Sequence, residues 1–169
     1  EDKLDNYRIS ELSFEAERIE LNISGGWQDQ YSTVFGGINF IEFNEYNNVV
    51  MPLRLEPSVL MELEERFVLC FTGNEHLGNA IQDQNHTQDT DNSRWSSIAS
   101  ELKDIATSMK TCLLRSRLGD IGPLLDETWR LKKDGSDIVT SSKLDAIYDM
   151  AKKSGAEGGR LLGTGGGGY

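Results

Sequence analysis

A chain of 169 residues has room for one domain or for pieces of two. Its net charge of -11 argues against nucleic acid and anionic membrane surfaces as partners, though backbone N–H groups and a metal can still hold a phosphate locally. A hydrophobic content of 37% suffices for a core, and no apolar run nears the roughly 18 residues needed to span a bilayer.

Cys70 and Cys112 lie in apolar surroundings that place both inside as reduced thiols, which points to a cytoplasmic protein. No signal peptide is visible. The chain begins at Glu1 without methionine, so residues are expected ahead of it.

Ile9, Leu12, Ala16 and Ile19 recur at helical spacing, which predicts an amphipathic helix over about residues 8–21. Ser24-Gly25-Gly26 ends it. Asn22-Ile23-Ser24 and Asn85-His86-Thr87 match the glycosylation triplet, but nothing else marks a secreted chain. Gln28-Asp29-Gln30 then stands where the turn becomes a helix start. Two roles are open to Asp29 there: a cap favoured by the helix dipole, or a carboxylate that glycine turns present to a ligand.

Residues 38–43 read as a strand and Val49 to Leu55 as a second, paired as a hairpin across the polar turn 44–48. Pro52 marks an edge or a bulge. Pro57-Ser58 opens a short helix through Glu65, with Leu60 and Leu63 inward. Phe67-Val68-Leu69-Cys70-Phe71 has the continuous apolar character of a strand buried on both faces. The loop after it, 72–78, is a place for function, with His76 as a possible ligand contact. Residues 82–92 are polar and acidic. His86 and its aspartate neighbours lack metal-ligand spacing, so no metal site is assigned.

Three helices follow. The first carries the stripe Trp95, Ile98, Ala99, Leu102, Ile105, Ala106, Met109 and Leu113, with its cap near Ser93. A tight turn at Leu118-Gly119-Asp120 leads to the second, with Ile121, Leu124, Leu125, Thr128 and Trp129 inward. Ser141-Ser142 caps the third, with Leu144, Ile147, Tyr148 and Ala151 inward and Gly155 at its C-cap. Residues 155–168 hold eight of the seventeen glycines. A flexible linker, a dinucleotide fingerprint (Gly163-x-Gly165-x-x-Gly168) and a structured glycine turn compete here. The fingerprint fits poorly, because a helix precedes it and none follows. Leu161-Leu162 argues for packing, and a structured turn could crowd a phosphate.

Three stretches together are specific: Gly25-Gly26-Trp27-Gln28-Asp29-Gln30-Tyr31, then Phe35-Gly36-Gly37, then Ala156 through Gly168. In this order and at this separation the chain resembles the GHMP small-molecule kinases, in the branch of heptose 7-phosphate kinases and related sugar 1-kinases. The resemblance runs over essentially the whole chain and includes Phe71-Thr72-Gly73.

It implies an α+β, two-domain fold, with residues 1–55 closing the N-terminal domain and residues 56–169 forming a C-terminal helix-on-sheet domain. It implies an ATP-dependent carbohydrate kinase that moves the γ-phosphoryl of MgATP to a sugar hydroxyl, in the first instance the anomeric one. Asp29 would be the catalytic carboxylate beside that hydroxyl, as general base or to orient the nucleophile, with Gly25, Gly26, Gln28 and His76 on the substrate side. Gly163, Thr164, Gly165, Gly166 and Gly167 would lie near the phosphates, and the two poles would meet at one cleft. The partners implied are ATP, Mg2+ and a sugar or sugar phosphate.

The family's upstream phosphate loop and the basic partner of its acid belong to a segment not matched here, so the magnesium ligands are expected upstream and the chain reads as a fragment inactive by itself. Related sequences carry an arginine about where His76 stands, which leaves both a free sugar and a sugar phosphate open. The competing reading is a non-catalytic relative that binds sugar or protein.

Overall fold

The structure is a computed structural model that describes residues 4–23, 25–45, 47–73, 92–136, 139–163 and 166–169. The fold is α+β and divides into two compact units, Glu1–Arg54 and Leu55–Tyr169.

In the first unit, α1 (Asn6–Phe14) starts at Asp5, whose carboxylate accepts from the Arg8 N–H at 2.8 Å. It runs on as a π-helical turn, Glu15–Glu20. That wider turn breaks the 3.6-residue period. The expected stripe does not stay inward: Ile9, ahead of that turn, and Ala16 and Ile19 within it are exposed, while Ser10 is fully buried. Helix α2 (Gln28–Phe35) ends at Gly36, whose φ of 60° stops it without a Cβ penalty. β1 (Asn39–Glu42) and β2 (Val49–Pro52) form an antiparallel hairpin with Phe40 opposite Met51 and Pro52 at the strand end.

Aromatic rings make this unit's core. Tyr31 is 1% exposed, stacks on Phe35 and meets Tyr7, Trp27 and Phe43 edge-on. The Tyr31 hydroxyl accepts from Asn48 Nδ2 at 3.0 Å, and that of Tyr7 accepts from the Val50 N–H at 3.1 Å. These bonds fix the hairpin against the helices by satisfying polar groups that burial would otherwise strand.

In the second unit, α3 (Pro57–Arg66) begins with proline, which suits a first helical turn. Its buried residue is Val59. Leu60, expected inward, is exposed, and Leu63 is half-buried. Phe67–Phe71 is not the buried strand that its composition predicts. No strand forms there, Val68 is 87% exposed, and Cys70 is exposed, contrary to its expected burial. A buried strand needs ladder partners on its edges. Among the described residues the hairpin of the first unit is the sole sheet, and the described elements of residues 56–169 are helices.

Helix α4 (Asn92–Leu114) starts one residue before Ser93 and packs on α5 (Ile121–Gly135) across the 3-10 turn Leu118–Asp120. Ile98, Ile105 and Leu131 form their common core, with Leu102, Met109 and Leu124 around it. Ala99 and Ala106 are exposed at the stripe's margin. Cys112 is buried as expected. Helix α6 (Ser142–Lys153) is capped by Ser141, whose Oγ accepts from the Leu144 N–H, and Gly155 follows it at φ 103°. Ala151, expected inward, is exposed.

Candidate functional site

The site residues of the first unit gather where the π-helical turn meets α2. Asp29 lies in the first turn of α2 and is not its cap: the cap position is Trp27, whose side chain makes no capping bond. The Asp29 side chain is 80% exposed, with Arg18 Nη2 3.5 Å from its Oδ2. Arg18 also lies 3.6 Å from Glu17 and donates to the Ile23 carbonyl at 3.4 Å. Gln30 is buried and its amide donates to Glu17. Consecutive residues of the π-helical turn, Glu17 and Arg18, thus meet consecutive residues of α2, Gln30 and Asp29.

Gly25 is half-buried, whereas Gly26 and Gln28 are exposed. Arg18 is the residue that sequence reasoning missed. A basic side chain on a helix face reads as solvated, and nothing in its spacing announces that the chain folds back on it.

An open depression of about 690 Å³ lies elsewhere on this unit, lined by Asp5, Glu11, Glu15 and Glu45 beside Tyr7 and Trp27. Its carboxylates repel phosphate, and Asp29 does not line it.

In the second unit the glycine-rich tail is packed, which sets aside the flexible-linker reading. Leu161 is buried with Trp129, Val139 and Leu144, while Leu162 is half-exposed. The Gly166 N–H donates to the Val139 carbonyl at 3.0 Å, and Leu162 N–H to the Tyr169 carbonyl at 2.7 Å. Gly163, Gly166 and Gly168 take φ values of 66°, 78° and 87°, which other residues resist. Gly167 is buried. Thr72 joins the tail directly, as its N–H and Oγ1 both donate to the Gly168 carbonyl at 2.9 Å. His76, Thr164 and Gly165 lie outside the described residues.

Two cations stand beside this turn. Lys132 Nζ donates to the Gly163 carbonyl at 2.7 Å. Burial, and then the guanidinium of Arg160, push the Lys132 pKa from 10.5 down to about 8. Burial also lowers that of Arg160. Among the described residues, no three His, Cys, Asp or Glu side chains group so as to hold a metal ion, and no helix is long and apolar enough to cross a membrane.

Residues 109–169 match the family described as GHMP kinases C terminal. Over 169 residues the chain is 38% identical to a D-glycero-alpha-D-manno-heptose 7-phosphate kinase of Campylobacter jejuni, covering 98% of this chain and 49% of that protein. It is 28% identical to the bifunctional fucokinase/GDP-fucose pyrophosphorylase of Arabidopsis thaliana, over 97% of this chain and 16% of that protein. A crystal structure of a D-glycero-D-manno-heptose 1-phosphate kinase from Bacteroides thetaiotaomicron superposes with a TM-score of 0.63 at 29% identity, over 96% of this chain and 43% of that one. The chain therefore spans about half the length of the Campylobacter relative.

Proposed function

We propose that these residues belong to an ATP-dependent sugar or sugar-phosphate kinase that transfers the γ-phosphoryl of ATP to the anomeric hydroxyl of its acceptor. The observation that carries this reading is Asp29 itself, an exposed carboxylate held at a helix start with an arginine on one oxygen. The other oxygen is then available to a hydroxyl proton. The sugar-kinase names of the relatives support the substrate class.

Phosphoryl transfer asks mainly for positioning and for stabilisation of charge. In this assignment Asp29 accepts the acceptor's hydroxyl proton late in the transfer and orients the nucleophile. Gly25, Gly26 and Gln28 shape its surroundings, with His76 on the acceptor side. Gly163, Thr164, Gly165, Gly166 and Gly167 crowd the phosphates, with Lys132 and Arg160 as nearby positive charge. Magnesium enters with ATP and would neutralise phosphate charge. In this assignment this chain's own part is proton transfer and positioning. Two free cysteines accord with a cytoplasmic setting.

The test is the full-length protein incubated with ATP and a panel of sugars and sugar phosphates, beside its Asp29→Asn variant. The variant should lose on the order of 10²–10⁴-fold in turnover and still bind ATP. Undiminished turnover in Asp29→Asn would remove Asp29 from the mechanism, and no turnover of any acceptor by the wild type would favour a non-catalytic binding role.

A further inference from the structure

Arg18 is held in an unusual place for so exposed a partner. Its side chain is 9% exposed, against 80% for Asp29. A guanidinium taken that far from water requires compensation from charges and carbonyls around it. Asp29, Glu17 and the Ile23 carbonyl provide this at 3.5, 3.6 and 3.4 Å.

The space it occupies is left by a glycine. A Cβ on Gly25 would fall 2.6 Å from Arg18 Nη1 and 2.7 Å from Nη2, too close for either to stay. A Cβ on Gly26 would meet nothing within 4 Å. The two glycines of the motif are therefore not equivalent, and packing requires only the first.

We infer that Gly25 and Arg18 form one positioning device for Asp29, in which the missing side chain of Gly25 seats the guanidinium and the guanidinium orients the carboxylate. Its catalytic meaning rests on Asp29 being the acceptor-side acid, but the seat itself does not. The π-helical turn contributes by presenting Glu17 and Arg18 together toward α2, where Glu17 takes the Gln30 amide and Arg18 takes Asp29. An arginine on one carboxylate oxygen removes rotational freedom from an acid that solvent would otherwise leave mobile.

The experiment compares Arg18→Met, Arg18→Lys, Gly25→Ala, Gly26→Ala and the Arg18→Met/Gly25→Ala double variant in the full-length protein. It reads kcat and KM separately, and it reads the carbon-13 resonance of the Asp29 carboxylate by NMR. Arg18→Met and Gly25→Ala should each lower kcat by about 10–100-fold with the KM for ATP unchanged, since displacing a reacting group by an ångström costs about that much. The double variant should be no worse than either single one, and Arg18→Lys should recover part of the loss. The Asp29 resonance should move alike in Arg18→Met and Gly25→Ala and stay in place in Gly26→Ala. Additive losses in the double variant, or an Asp29 resonance indifferent to Gly25→Ala, overturn the inference. If Gly25→Ala does not fold, the resonance in Arg18→Met against Arg18→Lys decides. Full turnover in Asp29→Asn would sink the kinase role of Asp29 alone, because the resonance still reports whether the seat exists.

Discussion

The backbone of Gly158 runs against the carbonyl of Gly122, so closely that a Cβ on Gly158 would overlap the Gly122 oxygen and lie 2.6 Å from its carbonyl carbon. Gly122 sits in the first turn of α5, and Gly158 opens the tail motif. The start of one helix and the entry to the glycine-rich turn thus touch main chain to main chain.

Gly158→Ala should therefore destabilise the second unit by about 1–3 kcal/mol, the usual cost of overpacking, because backbone cannot swing aside as a side chain can. Gly159→Ala is the control, since its Cβ would meet only Tyr148 Cε2 at an ordinary 3.7 Å. Urea unfolding of both variants checks this, and equal midpoints would refute it.

Leu161 ties the tail to the helices. Leu161→Ala should cost about 2–5 kcal/mol, the range for emptying a buried leucine site. It should also speed hydrogen exchange at the Gly166 N–H, which bonds the Val139 carbonyl beside that cluster. Leu162→Ala, at a side chain 50% exposed, should change neither by a comparable amount. A tail insensitive to Leu161→Ala would behave as a linker.

Lys132 makes stability depend on pH. Its pKa is about 8 in the fold and 10.5 as an ordinary lysine. Between these values the unfolded chain binds more protons, so stability rises with pH. The penalty for holding a charged Lys132 is present in full below about pH 8 and fades toward 10.5. The stability difference between wild type and Lys132→Met should therefore shift in favour of the wild type across that window. Chemical denaturation at several pH values measures it, and a difference independent of pH would refute the assignment.

Ser141→Ala should cost about 1 kcal/mol, because it frees the Leu144 N–H at the start of α6. Ser141→Asp should restore the loss. Thermal unfolding of the two variants checks the pair.

Much of this molecule is legible residue by residue. The helices α4, α5 and α6 follow from apolar spacing that a 3.6-residue turn converts into one buried face. The hairpin follows from two apolar runs around a polar turn. Asp29 and the tail are legible as motifs, because an acid between glycine turns and a run of glycines stand out from the apolar spacing around them. Local pattern fails where the outcome depends on what comes to lie alongside. Phe67–Phe71 has the composition of a buried strand, yet a strand is made by hydrogen bonds to a neighbour, and composition cannot supply the neighbour. Ile19 keeps its helical spacing, but the π-helical turn rotates it outward.

Arg18 shows the same division at the site. Charge and spacing place an arginine on a helix and an aspartate at the start of another. Their meeting at 3.5 Å, across a gap left by Gly25, exists only because the chain between them turns back. Periodicity and turn chemistry are properties of neighbours along the chain, and the sequence states them. Which charge faces which carboxylate is a property of neighbours in space, and folding alone sets it.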